Sequence, residues 1–157
     1  MTHTITREFL RLHGACYDDT KIATLIPLDG LPLVDVLKLD IPAADRIWVA
    51  TLPGACPAAV MWEWQARLVE RALARVEKPD PRSIAVVPLL RRLAGGEAIP
   101  REQRAAARDA AYAAAAAAYD AWAATYDARA AARDAAYDAE ENQQIADLID
   151  LLTKVTP

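Results

Sequence analysis

Residues 101–139 decide the fold and read REQRAAARDAAYAAAAAAYDAWAATYDARAAARDAAYDA. Alanine fills most of this stretch, and after Pro100 neither glycine nor proline occurs before Pro157. Alanine is the best helix former because it loses no side-chain entropy, whereas glycine and proline interrupt helices. The sequence therefore predicts a long Ala-rich helix, either unbroken or broken into a helical hairpin.

Aromatic and acidic side chains recur along this stretch at helical spacing. At about 100° per residue, four tyrosines fall within about 40° of one another. They are Tyr112, Tyr119, Tyr126 and Tyr137. A stripe of aspartates lies about 60–120° further round the helix, and a third sector is almost entirely alanine. We expect the alanine sector to pack closely against another helix and the aspartates to face water.

The same helix carries the candidate partner-binding residues. They are Tyr112, Tyr119, Asp120, Trp122, Tyr126, Asp127, Tyr137, Asp138 and Glu141. Tyrosine and tryptophan are enriched among the residues that dominate protein interfaces, so these rings, edged by carboxylates, would make a contact patch if exposed. The alternative is that the rings are the bulky filling of an otherwise small-residue core, which suits Trp122 best.

Charge is distributed unevenly along the chain. Residues 1–97 contain 12 Lys+Arg and 12 Asp+Glu, while residues 98–157 contain 6 and 10, which accounts for the whole net charge of −4. The acidic excess is greatest in residues 138–150, where no basic residue occurs. Direct nucleic-acid binding is disfavoured because it calls for the opposite sign. An acidic face suits a basic protein partner, with a simply solvated face as the alternative.

The first part of the chain predicts short helices joined by tight corners. Nine of the ten prolines and all five glycines lie in residues 1–100. Thr6 is placed to cap a first helix that ends at Gly14, and Asp18 or Asp19 to cap a second. These signals are local, so they fix where helices begin and end.

Two longer helices follow in this part of the chain. The first runs from Pro57 to about Val76 and has residues spaced as a buried stripe, namely Met61, Gln65, Leu68, Val69, Ala72 and Val76. The second begins at Asp80-Pro81 and contains Ile84, Val87, Leu90 and Leu93.

A row of arginines recurs on the outer side of the first of these helices. It consists of Arg67, Arg71 and Arg75, with Glu63 one turn before Arg67. The row is a candidate anion-binding site, with a solvated face as the alternative.

The far end of the Ala-rich helix has a second start signal. Asp138-Ala-Glu-Glu141 has the spacing of a capping box. An unbroken helix from 101 to 152 would be about 75 Å long, whereas a compact chain of this size has a radius of gyration near 15 Å. We therefore expect a restart or at least a bend at Asp138, and a chain that folds back near Thr125–Asp127 or near Asp138, unless the helix pairs with a copy of itself.

Together these signals predict a single all-α domain over residues 1–157. Short helices occupy 1–97 and pack with the Ala-rich helical half, 98–157, in a compact bundle.

Groups suited to catalysis or metal binding are few. The histidines are His3 and His13, and Ser83 is the single serine. His13 and Cys16 are three residues apart, but no second pair of ligands stands beside them in the sequence. We predict a non-enzymatic protein with no catalytic residues, no metal and no cofactor.

The sequence also bears on compartment. Its first residues lack the charged start and apolar run of an export signal, and its Ala run is too short and too weakly apolar to span a bilayer. We expect a cytoplasmic protein, off the membrane, with Cys16 and Cys56 as free thiols.

Several fragments, in order, resemble one family. They are Gly14-Ala-Cys16 before an acidic turn, ADRIWVATL at 44–52, Glu70-Arg-Ala-Leu73, and LRRLAGGE at 90–97 leading into Ala/Tyr/Asp/Arg repeats. Together they resemble the Ala-rich immunity proteins that occur beside polymorphic toxins in bacteria and in phage genomes. The resemblance implies a small helical protein that neutralises an effector by binding it, and it supplies no catalytic residues.

Three functional hypotheses follow. The first is an immunity or inhibitor protein that binds a toxin or host-defence effector. It includes a phage counter-defence, anti-CRISPR-like version, for which a charge of −4 is modest. The second is a small-molecule sponge, with a pocket between the short helices and the arginine row holding an anionic ligand. The third is a structural homo-oligomer, such as a homodimer, held by the alanine face.

Overall fold

The structure, a computed structural model, describes residues 4–79, 81–106, 109 and 130–155, with the backbone alone at 82 and 130–135. It is 68% helix and 3% strand, which confirms the all-α class. The fold-back predicted near Thr125–Asp127 lies outside the described residues.

The helices follow one another with short connections in the first part of the chain. They are α1 (Arg7–Leu12), α2 (Asp19–Leu25), α3 (Leu33–Val36), α4 (Ala43–Thr51), α5 (Ala58–Ala74), α6 (Pro81–Ala94) and α7 (Ala130–Val155). Residues 101–106 are also helical, as the sequence predicts after Pro100.

A short antiparallel pairing was not predicted. Strand β1 (Thr4–Ile5) pairs with β2 (Leu31–Pro32), with Ile5 opposite Leu31. Each strand has two residues. So short a strand cannot show the alternating pattern by which strands are recognised.

The predicted helix starts at Thr6 and Asp18 are confirmed. The Thr6 hydroxyl accepts a hydrogen bond from the Phe9 backbone N–H, and the Asp18 carboxylate accepts one from the Lys21 N–H. Each bond satisfies one of the donors that a helix leaves unpaired in its first turn. Gly14 ends the first helical segment with a φ of 77°, a left-handed conformation that glycine adopts at low cost.

The chain divides into two compact units, Met1–Pro57 with Glu140–Pro157, and Ala58–Ala139. The boundaries of these units, after Pro57 and after Ala139, differ from the boundary between residues 97 and 98 at which the amino-acid composition changes. That residues 1–157 form one domain stays a prediction. In the first unit the largest fully buried side chains are Ile5, Val36, Leu37 and Leu148.

Helices α5 and α6 pack together within the second unit. Their shared core consists of Ala66, Val69, Val86, Val87 and Leu90. The prediction of a buried stripe on α5 is confirmed at Val69. It is wrong at Met61 and Leu68, which are partly exposed, while Trp64 and Ala66 are buried instead. On α6, Val87 and Leu90 are buried, whereas Ile84 is 50% exposed. The hydrophobic spacing of each helix fits more than one face, so the sequence alone does not select which face packs.

Helix α7 corrects the prediction of a restart at Asp138. It is continuous from Ala130 to Val155. A helix start requires a non-helical residue at the cap, and an uninterrupted helix keeps its backbone hydrogen bonds through that point. Because no glycine or proline lies between 130 and 155, the helix gains more by continuing than by restarting.

Candidate partner-binding face and apolar pocket

Three of the predicted partner-binding residues are described, and all three lie on α7. They are Tyr137, Asp138 and Glu141. The others lie outside the described residues, namely Tyr112, Tyr119, Asp120, Trp122, Tyr126 and Asp127.

The Tyr137 side chain is 45% exposed, beside the exposed Asp138. Glu141, one turn further, is partly buried. At about 100° per residue, Tyr137, Glu141 and the fully buried Leu148 fall within about 40° of one another. The tyrosine thus lies on the same side of α7 as the buried stripe but near the start of the helix, where this side is open to solvent.

The carboxylates of α7 differ in their surroundings. Asp147 is buried and accepts a hydrogen bond from Gln143 Nε2 at 3.2 Å. Asp150 pairs with Lys154, with 2.8 Å between Lys154 Nζ and Asp150 Oδ2. Among the described carboxylates of α7, Asp138 is exposed while Glu140 and Glu141 are partly buried, so the most accessible of these charges is at Asp138.

Arg67, the first arginine of the row on α5, forms an ion pair. Arg67 Nε lies 3.7 Å from Glu63 Oε1, as the sequence spacing predicts. Arg91 of α6 reaches the same Glu63 oxygen at 3.7 Å and Glu70 Oε2 at 2.8 Å. The hydrogen bond to Glu70 raises the pKa of Arg91. Because Glu63 offsets its charge, Arg67 offers an anion less than the sequence pattern implies.

An apolar pocket of about 50 Å³ opens between the short helices of the first unit. It is lined from α1, α2, α3 and α4 and from the loops between them, with Ile22 and Val49 in its wall and Cys16 and Trp48 also contributing. Trp48 is 37% exposed. A pocket between the short helices was part of the small-molecule hypothesis, but no arginine lines it.

Two polar residues in the pocket wall satisfy each other. The Tyr17 hydroxyl donates to Asp45 Oδ2 at 2.5 Å. This hydrogen bond, together with burial, raises the pKa of Tyr17 to about 12. The hydroxyl and the carboxylate bond to each other, and the open surface of the pocket is entirely apolar. The pocket is therefore suited to an apolar group and offers nothing to an anion.

Both cysteines are free thiols, but their environments differ. Cys16 is exposed at the pocket, whereas Cys56 is half-buried. Burial raises the pKa of the Cys56 thiol to about 11. Since the thiolate is the reactive form, Cys56 should react far more slowly than an ordinary thiol at neutral pH.

Membrane-spanning helices and metal-binding clusters can be assessed for the described residues. In that part of the chain no helix is long and apolar enough to cross a membrane. Nor do the described residues contain a group of three His, Cys, Asp or Glu side chains that could hold a metal ion.

Comparison of the chain with protein-family models, curated proteins and solved structures finds no match.

Proposed function

We propose that this chain is a non-enzymatic immunity or inhibitor protein that neutralises an effector protein by binding it. The effector is a toxin or a host-defence component, and a phage counter-defence protein is one version of the same proposal. The fragments that resemble the Ala-rich immunity proteins support it, as does the acidic helical surface. The proposed site of action is the cytoplasm, where free thiols such as Cys16 and Cys56 are the norm.

The half-exposed Tyr137 beside Asp138 on α7 is the observation that carries the proposal. A tyrosine ring supplies a large contact area and a hydroxyl, which is why tyrosine is frequent among the residues that dominate binding energy. Carboxylates beside it attract a basic surface and raise the association rate. In the sequence no lysine or arginine lies between 134 and 153, and the nearest before this segment is Arg133, one turn before Tyr137.

The continuity of α7 strengthens the proposal. Its 26 residues form one uninterrupted helix. A residue held on a helix loses little backbone freedom when it binds, so more of the contact energy appears as affinity. We therefore expect a partner to bind these residues more tightly on a rigid helix than on a loop.

The small-molecule sponge is less well supported. The pocket measures about 50 Å³, against about 150 Å³ for an engineered cavity that admits benzene. The open surface of the pocket also presents no polar atom to the charged head group of a metabolite. The pocket is too small and too apolar for the anionic ligand that this hypothesis requires.

The test uses the purified full chain as bait in an extract of its native host. Captured proteins are identified by mass spectrometry, and a purified candidate is then titrated with the chain by calorimetry and assayed for loss of its own activity. We expect direct binding with inhibition. A Tyr137→Ala/Asp138→Lys double variant should bind about 30- to 100-fold more weakly.

A matched control is Glu77→Lys, which reverses an exposed carboxylate in the segment that follows α5. Both variants should keep wild-type helicity. Equal affinity of the wild type and the Tyr137/Asp138 variant would refute this face as the binding surface, and binding without inhibition would refute the neutralising role.

A further inference from the structure

Leu28 is the most exposed large apolar side chain among the described residues, at 83%. It lies in a tight turn in which the Gly30 N–H donates to the Pro27 carbonyl at 3.0 Å. Turn corners are usually occupied by polar residues, glycine or proline. A leucine at this corner buries almost none of its own surface within the chain.

The turn that carries Leu28 is held on both sides. Before it, Arg7 Nε donates to the Ile26 carbonyl at 2.6 Å. After it, the β1–β2 pairing begins at Leu31. Gly30 has a φ of +80°, and a Cβ there would lie 2.6 Å from Thr4 Cγ2. The turn is thus fixed against β1, and Leu28 is presented as a rigid knob that loses little backbone entropy on binding.

The apolar pocket in the same compact unit is a matching hole. Its open surface has no polar atom, and its volume of about 50 Å³ suits the branched end of one aliphatic side chain. Ile26, two residues before Leu28, forms part of its wall. Knob and hole therefore arise from neighbouring parts of the same unit.

We infer that the pocket receives the Leu28 side chain of a second copy of this chain. A knob and a hole on one protein can close into a two-fold pair, in which each copy fills the other's pocket, so no binding site is left open. Two exchanged leucines bury far less than the roughly 1,200 Å² of a stable interface. The pair is consequently weak and forms at high protein concentration. This inference is independent of the effector-binding proposal.

The test measures association and pocket occupancy on the same samples. Sedimentation velocity of the full chain from about 5 µM to 1 mM should show a monomer converting to a dimer, as expected for a weak interface. Iodoacetamide modification of Cys16, followed by mass spectrometry, should slow in parallel because the incoming leucine covers the pocket. Cys56 serves as the internal control, since an acceleration there would report unfolding.

The decisive variants are two leucine replacements of equal exposure. Leu28→Ser should weaken dimerisation about 100-fold or more, because it removes both exchanged contacts. Leu12→Ser replaces a leucine that is 80% exposed and should leave dimerisation unchanged. Since both side chains lie in solvent, neither change should alter the circular dichroism spectrum.

A pocket-filling variant gives a second, independent route. Ala15→Leu places a larger side chain in the pocket wall and should also block self-association. Mixing it with Leu28→Ser pairs an intact knob with an intact hole, so a heterodimer should reappear with one of the two contacts. If Ala15→Leu does not fold, the two leucine variants still decide the question.

Three outcomes would overturn the inference. They are a Cys16 modification rate that does not depend on protein concentration, equal effects of Leu28→Ser and Leu12→Ser, and a dimer that survives Leu28→Ser. Weakening of the dimer in 0.5 M NaCl would also count against it, because an apolar contact does not weaken with salt as a charge contact does.

Discussion

The arginines within residues 1–57 and those of α5 and α6 make different kinds of contact. In residues 1–57 they donate mainly to main-chain carbonyls: Arg7 to Ile26 and Ala23, Arg11 to Tyr17, and Arg46 to Leu37. Arg11 also forms an ion pair with Asp19. Between α5 and α6, Arg91 instead meets two carboxylates, Glu63 and Glu70. The first part has short helices with many ends, whereas the second has two long helices with a continuous apolar seam.

Helix length explains this difference. Every helix leaves its last carbonyls without a partner, and those carbonyls are a larger share of a short helix. Helix α2 has no basic residue in its own last turn, and Arg7 of α1 supplies one. Arg7 and Arg46 therefore satisfy carbonyls at the ends of α2 and α3, while Arg91 adds an exposed ion pair to a helix pair that already has a core. Their removal should cost different amounts.

The largest loss is expected in the buried core of the first unit. Leu37 is 0% exposed and ends α3. Leu37→Ala should lower the free energy of unfolding by about 2–5 kcal/mol, from lost burial and the cavity left behind. Urea denaturation followed by circular dichroism measures this, with the exposed Leu12→Ala as control. A loss below about 1 kcal/mol would mean that this site collapses freely around the missing side chain.

The second largest loss concerns Arg7. Arg7→Met keeps the apolar stem but removes the donors to the Ile26 and Ala23 carbonyls, which lie 2.6 and 3.1 Å from Arg7 Nε and Nη2. We expect a loss of about 1.5–3 kcal/mol, because charged donors to a helix end are removed.

Arg7→Lys is the matched variant for this prediction. It keeps the charge but has no planar fork with which to reach both carbonyls. Its unfolding free energy should fall between those of the wild type and Arg7→Met. Equal stability of all three proteins would show that these carbonyls are satisfied as well by water.

The third effect concerns Tyr17 and depends on pH. Tyr17→Phe removes the hydrogen bond to Asp45 and should cost about 1–2 kcal/mol at pH 8. The pKa of Tyr17 is raised to about 12 in the folded protein, from an ordinary value of 10.0. The unfolded chain therefore loses this proton first as the pH rises. The stability due to the pair is complete below pH 10 and is lost as the pH approaches 12.

Urea denaturation of the wild type and Tyr17→Phe at pH 8 and near pH 11.5 checks this sign. The difference between the two proteins should shrink at the higher pH. A difference that stays constant would show that the Tyr17–Asp45 bond does not hold the phenol proton.

Local signals in the sequence predicted much of the fold. Thr6 and Asp18 are caps that act within one turn, so residue type and position were enough to find them. The Glu63–Arg67 pair follows from spacing along one helix. The face on which α5 packs was harder, because Ala66 and Val69 are buried with Val86, Val87 and Leu90 of α6, which are distant in the sequence.

The candidate sites depend even more on distant residues. The pocket wall combines Leu10, Ile22, Val36 and Val49 from four different helices. Each of these reads in the sequence as an ordinary core residue. The sequence likewise did not decide whether Tyr137 is exposed, because Leu148 on the same side of the helix is buried. Composition predicts that such side chains exist, but only the packing of separate elements decides whether they face a cavity, a core or water.

The smallest effect is expected between α5 and α6. Arg91→Ala removes the contacts with Glu63 and Glu70, but the Arg91 side chain is 48% exposed. Water screens such a pair, and ordering the long side chain costs entropy, so we expect a loss of only about 0–1 kcal/mol. In 1 M NaCl, where the screening length falls to about 3 Å, the difference from the wild type should vanish.

Arg92→Ala is the matched control on the same helix. Arg92 pairs with Glu97 within the connection that follows α6, so its removal breaks no contact between helices. If the apolar seam carries the α5–α6 pairing, the two variants should be equally mild. If Arg91→Ala costs more than about 2 kcal/mol while Arg92→Ala does not, the carboxylates of α5 hold α6 in place. The arginines of both parts would then be structural to the same degree, and helix length would no longer explain their different partners.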